Sequence, residues 1–171
     1  MHRAALLLVQ LLLLACHTLA DDVGFDYDPT DLNAWEHDYG HYPYRTFESS
    51  DLTPPAVARK VDSPECHDGL MTFLTPRGTA VNESRGMVIL DDEGEPVWMQ
   101  KTDGQPYNLD VQTYQGAPHL TYWLGDDTIG GHGEGDYYLL NSSYDLVARI
   151  SALNDLRADL HSLSLTSDDT A

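Results

Sequence analysis

A strand–turn–strand pattern occurs twice in this chain, fifty positions apart. Ile89-Leu90-Asp91 lines up with Leu139-Leu140-Asn141, and Glu95 and Val97 line up with Asp145 and Val147. Only Leu90/Leu140 and Val97/Val147 are identities. Self-similarity at a period of about 40–50 residues is how the blades of a β-propeller look in sequence. A propeller is built from typically 4–8 blades, and 171 residues hold about two such units. The expected fold is therefore all-β: β-propeller-like antiparallel sheets, about two blades and incomplete, preceded by an extended N-terminal arm. A stand-alone β-sandwich is the weaker alternative.

The segment before the repeat divides in two. Residues 1–20 carry one positive charge at Arg3, an apolar run over 4–15, and small residues at Thr18-Leu19-Ala20. That is the layout of a secretory signal peptide and is too short for a membrane anchor. Leu13-Leu14-Ala15-Cys16 also fits a bacterial lipoprotein cleavage box. Residues 21–60 are acidic and rich in Tyr, and Pro29, Pro43, Pro54 and Pro55 interrupt them. They read as an arm with at most a short helical turn near 31–36. The expected propeller region is 61–171. Its strands are expected at 70–75, 87–90, 96–100, 109–114, 119–124, 136–140, 146–150 and 160–165. A weak helical pattern covers 153–160.

Charge limits the partners. Lys and Arg total 9 against 28 Asp and Glu, a net charge of −19. A surface of that sign repels nucleic-acid phosphates and anionic lipid. With a secretory leader it reads as a solvated extracellular surface; Asp126-Asp127 and Asp91-Asp92-Glu93 could reach a calcium ion but read as ordinary acidic turns. Asn82-Glu83-Ser84 and Asn141-Ser142-Ser143 are N-glycosylation acceptors, both expected on exposed turns. Removal of the leader leaves Cys66 as the single cysteine, a buried free thiol or half of a bridge to sequence not present here.

Candidate chemistry gathers at three places. Gly130-Gly131-His132-Gly133-Glu134-Gly135 strips side-chain cover from the backbone, so that His132 is either presented to a ligand or merely part of an inter-blade loop. His161 is a residue type whose unperturbed charge change lies near neutrality, and it has Asp159 two residues away to orient its ring. Arg149 and Arg157 are scarce cations, suited either to ion pairing or to clamping an anion. His37 and His41 lack a third metal ligand. No metal or other cofactor is expected.

Several strings resemble the N-terminal third of the fungal arylsulfotransferase-like proteins. They begin with Tyr42-Pro43, Thr46-Phe47, Ser49-Ser50-Asp51-Leu52-Thr53-Pro54-Pro55 and Phe73-Leu74-Thr75-Pro76-Arg77-Gly78. They continue through Ile89-Leu90-Asp91, Val97-Trp98, Asn108-Leu109, Val111-Gln112-Thr113-Tyr114 and Leu120-Thr121-Tyr122-Trp123. They close with Gly131-His132-Gly133, Ser143-Tyr144 and Asp159-Leu160-His161. The resemblance implies a propeller that moves a sulfuryl group from an aryl sulfate to a phenol through a histidine, with no nucleotide donor. Covalent transfer of this kind divides one hard step into two. After His161 the family carries an acidic–aromatic pair where this chain has Ser162-Leu163. The nucleophilic histidine of the bacterial relatives lies in a later blade. The resemblance therefore makes His161 a supporting pocket histidine, with His132 and Arg157 as further support. It also makes this chain an N-terminal fragment, inactive alone. A secreted, glycosylated propeller that binds or scaffolds without catalysis is the alternative.

Overall fold

The computed structural model describes residues 42–57 and 63–171. The leader, the whole of the arm before Tyr42 with its expected helical turn near 31–36, and the pair His37 and His41 lie outside the described residues. Within them the protein is all-β. Its strands are β1 (Thr72–Leu74), β2 (Gly86–Leu90), β3 (Pro96–Lys101), β4 (Gln105–Tyr114), β5 (Ala117–Asp126), β6 (Glu134–Leu140) and β7 (Leu146–Ile150). Two short 3-10 segments, Pro64–Cys66 and Thr79–Ser84, are the helical elements among the described residues.

The strands form two antiparallel meanders in chain order, β1-β2-β3 and β4-β5-β6-β7. Side chains alternate between faces along a strand, so each buried set identifies what covers that face. Met87 and Ile89 of β2 meet Leu109, Leu120, Tyr122 and Leu140 of the second sheet, with Phe73, Trp98, Leu124 and Tyr138 around them. Val88 and Leu90 project the other way, where Met99, Leu74 and Leu52 of the arm join them. That is why β2 is buried along its whole length. It reads as a continuous apolar run, as a strand covered on both faces should.

Residues 42–57 lie against the first sheet and connecting loops. Tyr44 bridges Pro55, the Tyr42 amide donates to the Ala80 carbonyl at 2.6 Å, and Arg45 makes a paired ion bridge to Glu95, one of its two bonds being 2.8 Å.

The fifty-residue echo is reproduced bond for bond. In the β2–β3 turn the Asp91 carboxylate accepts the amides of Glu93 at 3.0 Å and Glu95 at 2.8 Å. In the β6–β7 turn the Asn141 side-chain oxygen accepts those of Ser143 at 2.8 Å and Asp145 at 3.0 Å. Ile89 pairs with Trp98 and Leu90 with Pro96; Leu139 pairs with Ala148 and Leu140 with Leu146. The same bulge recurs in both hairpins. The residue that must adopt left-handed backbone is Gly94 in the first turn, φ 83°, and Tyr144 in the second, φ 62°. Such a φ disfavours a residue with a Cβ by about 1–2 kcal/mol. Tyr144 offsets this by stacking on Trp98 of the first sheet, 4.6 Å between ring centres and 14° between planes.

Two expectations fail at the C-terminal end. Residues 160–165 form no strand, and 153–160 form turns and irregular backbone, not helix. Only Ala158 pairs as a strand residue does, with Gly135. β7 ends at Ile150, opposite Tyr137, so Ala158 occupies the place beside β6 that β7 has vacated. Leu153 and Leu156 stay exposed and give a helix no apolar stripe to bury.

Asp91→Asn should leave stability nearly unchanged, because Asn141 does the same work in the twin turn. Asp91→Ala should cost about 1–2 kcal/mol by loss of two backbone hydrogen bonds. Urea unfolding of both variants checks this.

Candidate functional site

The site is built on Trp123. Its side chain is fully buried, lying over glycines where any other residue would collide with it. A Cβ on Gly133 would stand 2.7 Å from Trp123 Cη2, and one on Gly135 would stand 2.7 Å from Cε2 and 2.5 Å from the Leu124 carbonyl oxygen. Contacts below about 3 Å force the structure to shift, so these glycines leave room for an indole. Gly133 and Gly135 serve the packing of Trp123, and His132 is carried on the exposed turn beside them.

The indole in turn fixes the C-terminal segment. Trp123 Nε1 donates to the Ala158 carbonyl at 2.9 Å. Residues 158–165 then cross the face of the second sheet turned away from the first, tied by side-chain amides of β4. Asn108 Nδ2 donates to the carbonyls of Leu160 and His161, the latter at 2.5 Å. Gln112 donates to the Leu163 carbonyl at 3.1 Å and accepts from the Leu165 amide at 2.8 Å. Asn108 reaches the segment because it sits in a bulge. Tyr107 pairs with Trp123 and Asp110 with Thr121, leaving two residues opposite one, and Asn108 takes φ 52°. Bulges commonly re-aim a side chain in this way.

Between this strap and the sheet lies a cleft of about 300 Å³, lined among others by Asn108, Asp110, Gln112, Thr121, Tyr137 and His161. His161 Nδ1 contacts the Asp159 carboxylate, which also accepts the Gly133 amide at 3.0 Å. The Gly133 amide, and after it the His161 ring, hold the Asp159 carboxyl down to about 2. Asp159 is therefore ionised at neutral pH and offers only acceptors, so His161 Nδ1 carries the proton. In the neutral ring Nε2 is then the basic atom.

Tyr137, which no sequence motif marks, also lines the cleft. It is only 3% exposed, and its hydroxyl has no hydrogen-bond partner among the described residues. Burial pushes its phenol above the ordinary value; Asn108 works against that rise, and the charge on Asp159 adds to it. Asn108 is thus near the hydroxyl, but its amide nitrogen is committed to the Leu160 and His161 carbonyls. A buried, unmatched donor at a cleft wall is poised for a ligand atom or a water. In sequence, Tyr137 was indistinguishable from any other aromatic on a strand.

The remaining residues fall elsewhere. Arg157 lies 3.7 Å from the Asp136 carboxylate, which Arg149 and Ser151 also bind. Burial alone would raise the Asp136 carboxyl, but these three partners outweigh it and hold the carboxyl low. Asp136 is on the opposite face of β6 from Tyr137, so the structure does not bring Arg157 together with His161. His132 is adjacent to Gly133, whose amide binds Asp159, and is thus joined to the pair through one peptide unit. Of the two glycosylation triplets, Ser142 and Ser143 after Asn141 are exposed, while Ser84, two residues after Asn82, is buried. Among the described residues no three His, Cys, Asp or Glu side chains are grouped to hold a metal ion. No helix among them is long and apolar enough to cross a membrane. No protein-family model, curated protein or solved structure matches this chain.

Two outcomes are expected. Gly135→Ala should destabilise the protein by about 1–3 kcal/mol through overpacking against Trp123, read by thermal unfolding. Asp159 has a depressed folded-state pKa. Its contribution to stability is thus present above the unfolded value of about 4 and is lost as pH falls through about 2. Urea titrations of wild type and Asp159→Asn at pH 5 and near pH 2 should show a stability gap that closes on acidification.

Proposed function

We propose that this chain is the N-terminal part of a secreted β-propeller of the arylsulfotransferase-like kind. The complete protein transfers a sulfuryl group from an aryl sulfate to a phenol, with His161 facing the reacting group. The observation that carries the reading is the His161–Asp159–Gly133 arrangement: a histidine whose Nδ1 is held by an ionised carboxylate, itself anchored on backbone, beside a cleft. Such a ring keeps one tautomer and presents Nε2 as a base, a nucleophile or, when protonated, a donor to oxygen. The blade reading rests on two sequential meanders packed face to face and on the turn geometry repeated at fifty residues. If sheets are blades, β1-β2-β3 correspond in order to β5-β6-β7.

One observation favours the second reading, a binding module without catalysis. A developing sulfuryl charge calls for cationic donors, whereas Arg149 and Arg157 both attend Asp136. The cleft wall instead carries Asp110 beside His161.

The test is to incubate the complete protein with 4-nitrophenyl sulfate and a phenol acceptor, following sulfated product by mass spectrometry. His161→Ala should lower turnover by on the order of 10²-fold or more. An unchanged rate in that variant removes His161 from the mechanism. Absence of turnover by wild type, with a ligand-induced change in Trp123 fluorescence, would favour the binding module.

A further inference from the structure

We propose that Asn141 carries an N-linked glycan whose first N-acetylglucosamine covers the open apolar mouth between the two sheets. The inference rests on the secretory reading above, since the co-reactant is a lipid-linked oligosaccharide diphosphate met in the secretory lumen. In the transfer, the sugar C1–O bond to the diphosphate breaks and C1 bonds to Asn141 Nδ2. That nitrogen loses one proton, and the lipid diphosphate leaves with the bonding electron pair.

Three observations converge. The twin turn shows that only an acceptor oxygen is needed at this position. Asp91 supplies both bonds with a carboxylate oxygen, and Asn141 supplies the same two with Oδ1. The amide nitrogen is superfluous to the fold, and it makes no hydrogen bond among the described residues. Asn141 is half-buried, and Ser142 and Ser143 beside it are exposed, so the triplet Asn141-Ser142-Ser143 lies at the surface.

The second observation is what Asn141 adjoins. Asn141 and Ser142 line a cleft of about 340 Å³ whose other walls include Phe73, Ile89, Val97, Val111 and Tyr144. Phe73 and Ile89 belong to the core shared by the two sheets, so the cleft is the mouth of that core, open to water. Val97, Val111 and Tyr144 are each more than two-fifths exposed at its rim. Removing such surface from water is favourable in proportion to its area. A pyranose presents a C–H face and, in N-acetylglucosamine, an acetamido methyl group; both suit an apolar wall.

The third is Tyr144. It holds a left-handed backbone where its counterpart is glycine, and its ring is stacked on Trp98 while lining the cleft. The loop thus keeps an aromatic wall beside the acceptor against its own backbone preference.

The test fuses a heterologous secretion leader ahead of the full chain, so that entry into the lumen does not depend on residues 1–20. Glycopeptide mass spectrometry reads occupancy at Asn141, and endoglycosidase trimming to one sugar isolates the first residue. The expected result is an occupied Asn141 and a trimmed protein with the unfolding midpoint of the full glycoform. Asn141→Asp, which keeps both turn bonds as Asp91 does, should melt lower by about 3 °C and bind more of an apolar dye. Ser143→Ala removes the acceptor triplet but keeps Asn141, and should match Asn141→Asp. An unmodified Asn141 in exported protein would overturn the proposal. So would occupied protein whose midpoint and dye binding equal those of both variants, the result expected if another chain or segment covers the cleft. Failure of the chain's own leader to direct export, with Asn141 occupied behind the heterologous one, would count against the secretory reading alone.

Discussion

The fit of the Trp123 indole over two glycines is the contact on which the rest of the candidate site depends. The indole can be fully buried only because Gly133 and Gly135 lack side chains. Once there, its single donor has one destination, the Ala158 carbonyl. That bond and the Ala158–Gly135 pairing bring the following residues back across the sheet. Asp159 then reaches the Gly133 amide and His161 reaches Asp159. An apolar packing problem between β5 and the start of β6 is thereby converted into the placement of an ionised carboxylate and a histidine more than thirty residues from the indole. Removing one methyl group's worth of space would disturb that sequence at its first member.

The two hairpins separate what a turn needs from what a site adds. Asp91 and Asn141 are chemically different but play one geometric part, since each uses a single side-chain oxygen to gather two amides. Gly94 and Tyr144 differ more. Glycine accepts the left-handed backbone freely, while tyrosine is kept there by a contact with the opposite sheet. Repetition in this chain preserves hydrogen-bond geometry more faithfully than residue identity, which is why two identities carried so faint a signal.

Local patterns made most of the architecture legible. The strands flanking the two Asx turns were readable because apolar runs of β-branched and long side chains end at Asp or Asn followed by turn residues. His161 and its orienting carboxylate were readable because they lie two positions apart. The irregular path of 158–165 was not, since Leu163 and Leu165 alternate with serine as a strand would. What holds them is a set of side-chain amides from β4, and these bonds span some fifty positions. Tyr137 was hidden for a related reason: its unmatched hydroxyl exists only once the strap closes over it. The destination of Arg157 was equally long-range, because nothing near it in the chain announces Asp136 as its partner.

The strap also has a thermodynamic character of its own. A strand added to a sheet is held by a ladder in which every second residue contributes, but this segment is held mainly by Asn108, Gln112 and Trp123. The Asn108 bonds are exposed while those of Gln112 and Trp123 are part-buried, and the segment lacks the continuous ladder that makes a strand open only with its sheet. Were the strap to open on its own, the two sheets and their shared core would persist while the cleft would not. Any molecule that bridges Tyr137 and His161 binds only the closed state, and by mass action it draws the tail down with it. A ligand in the cleft would thus be felt as order in the residues that close it.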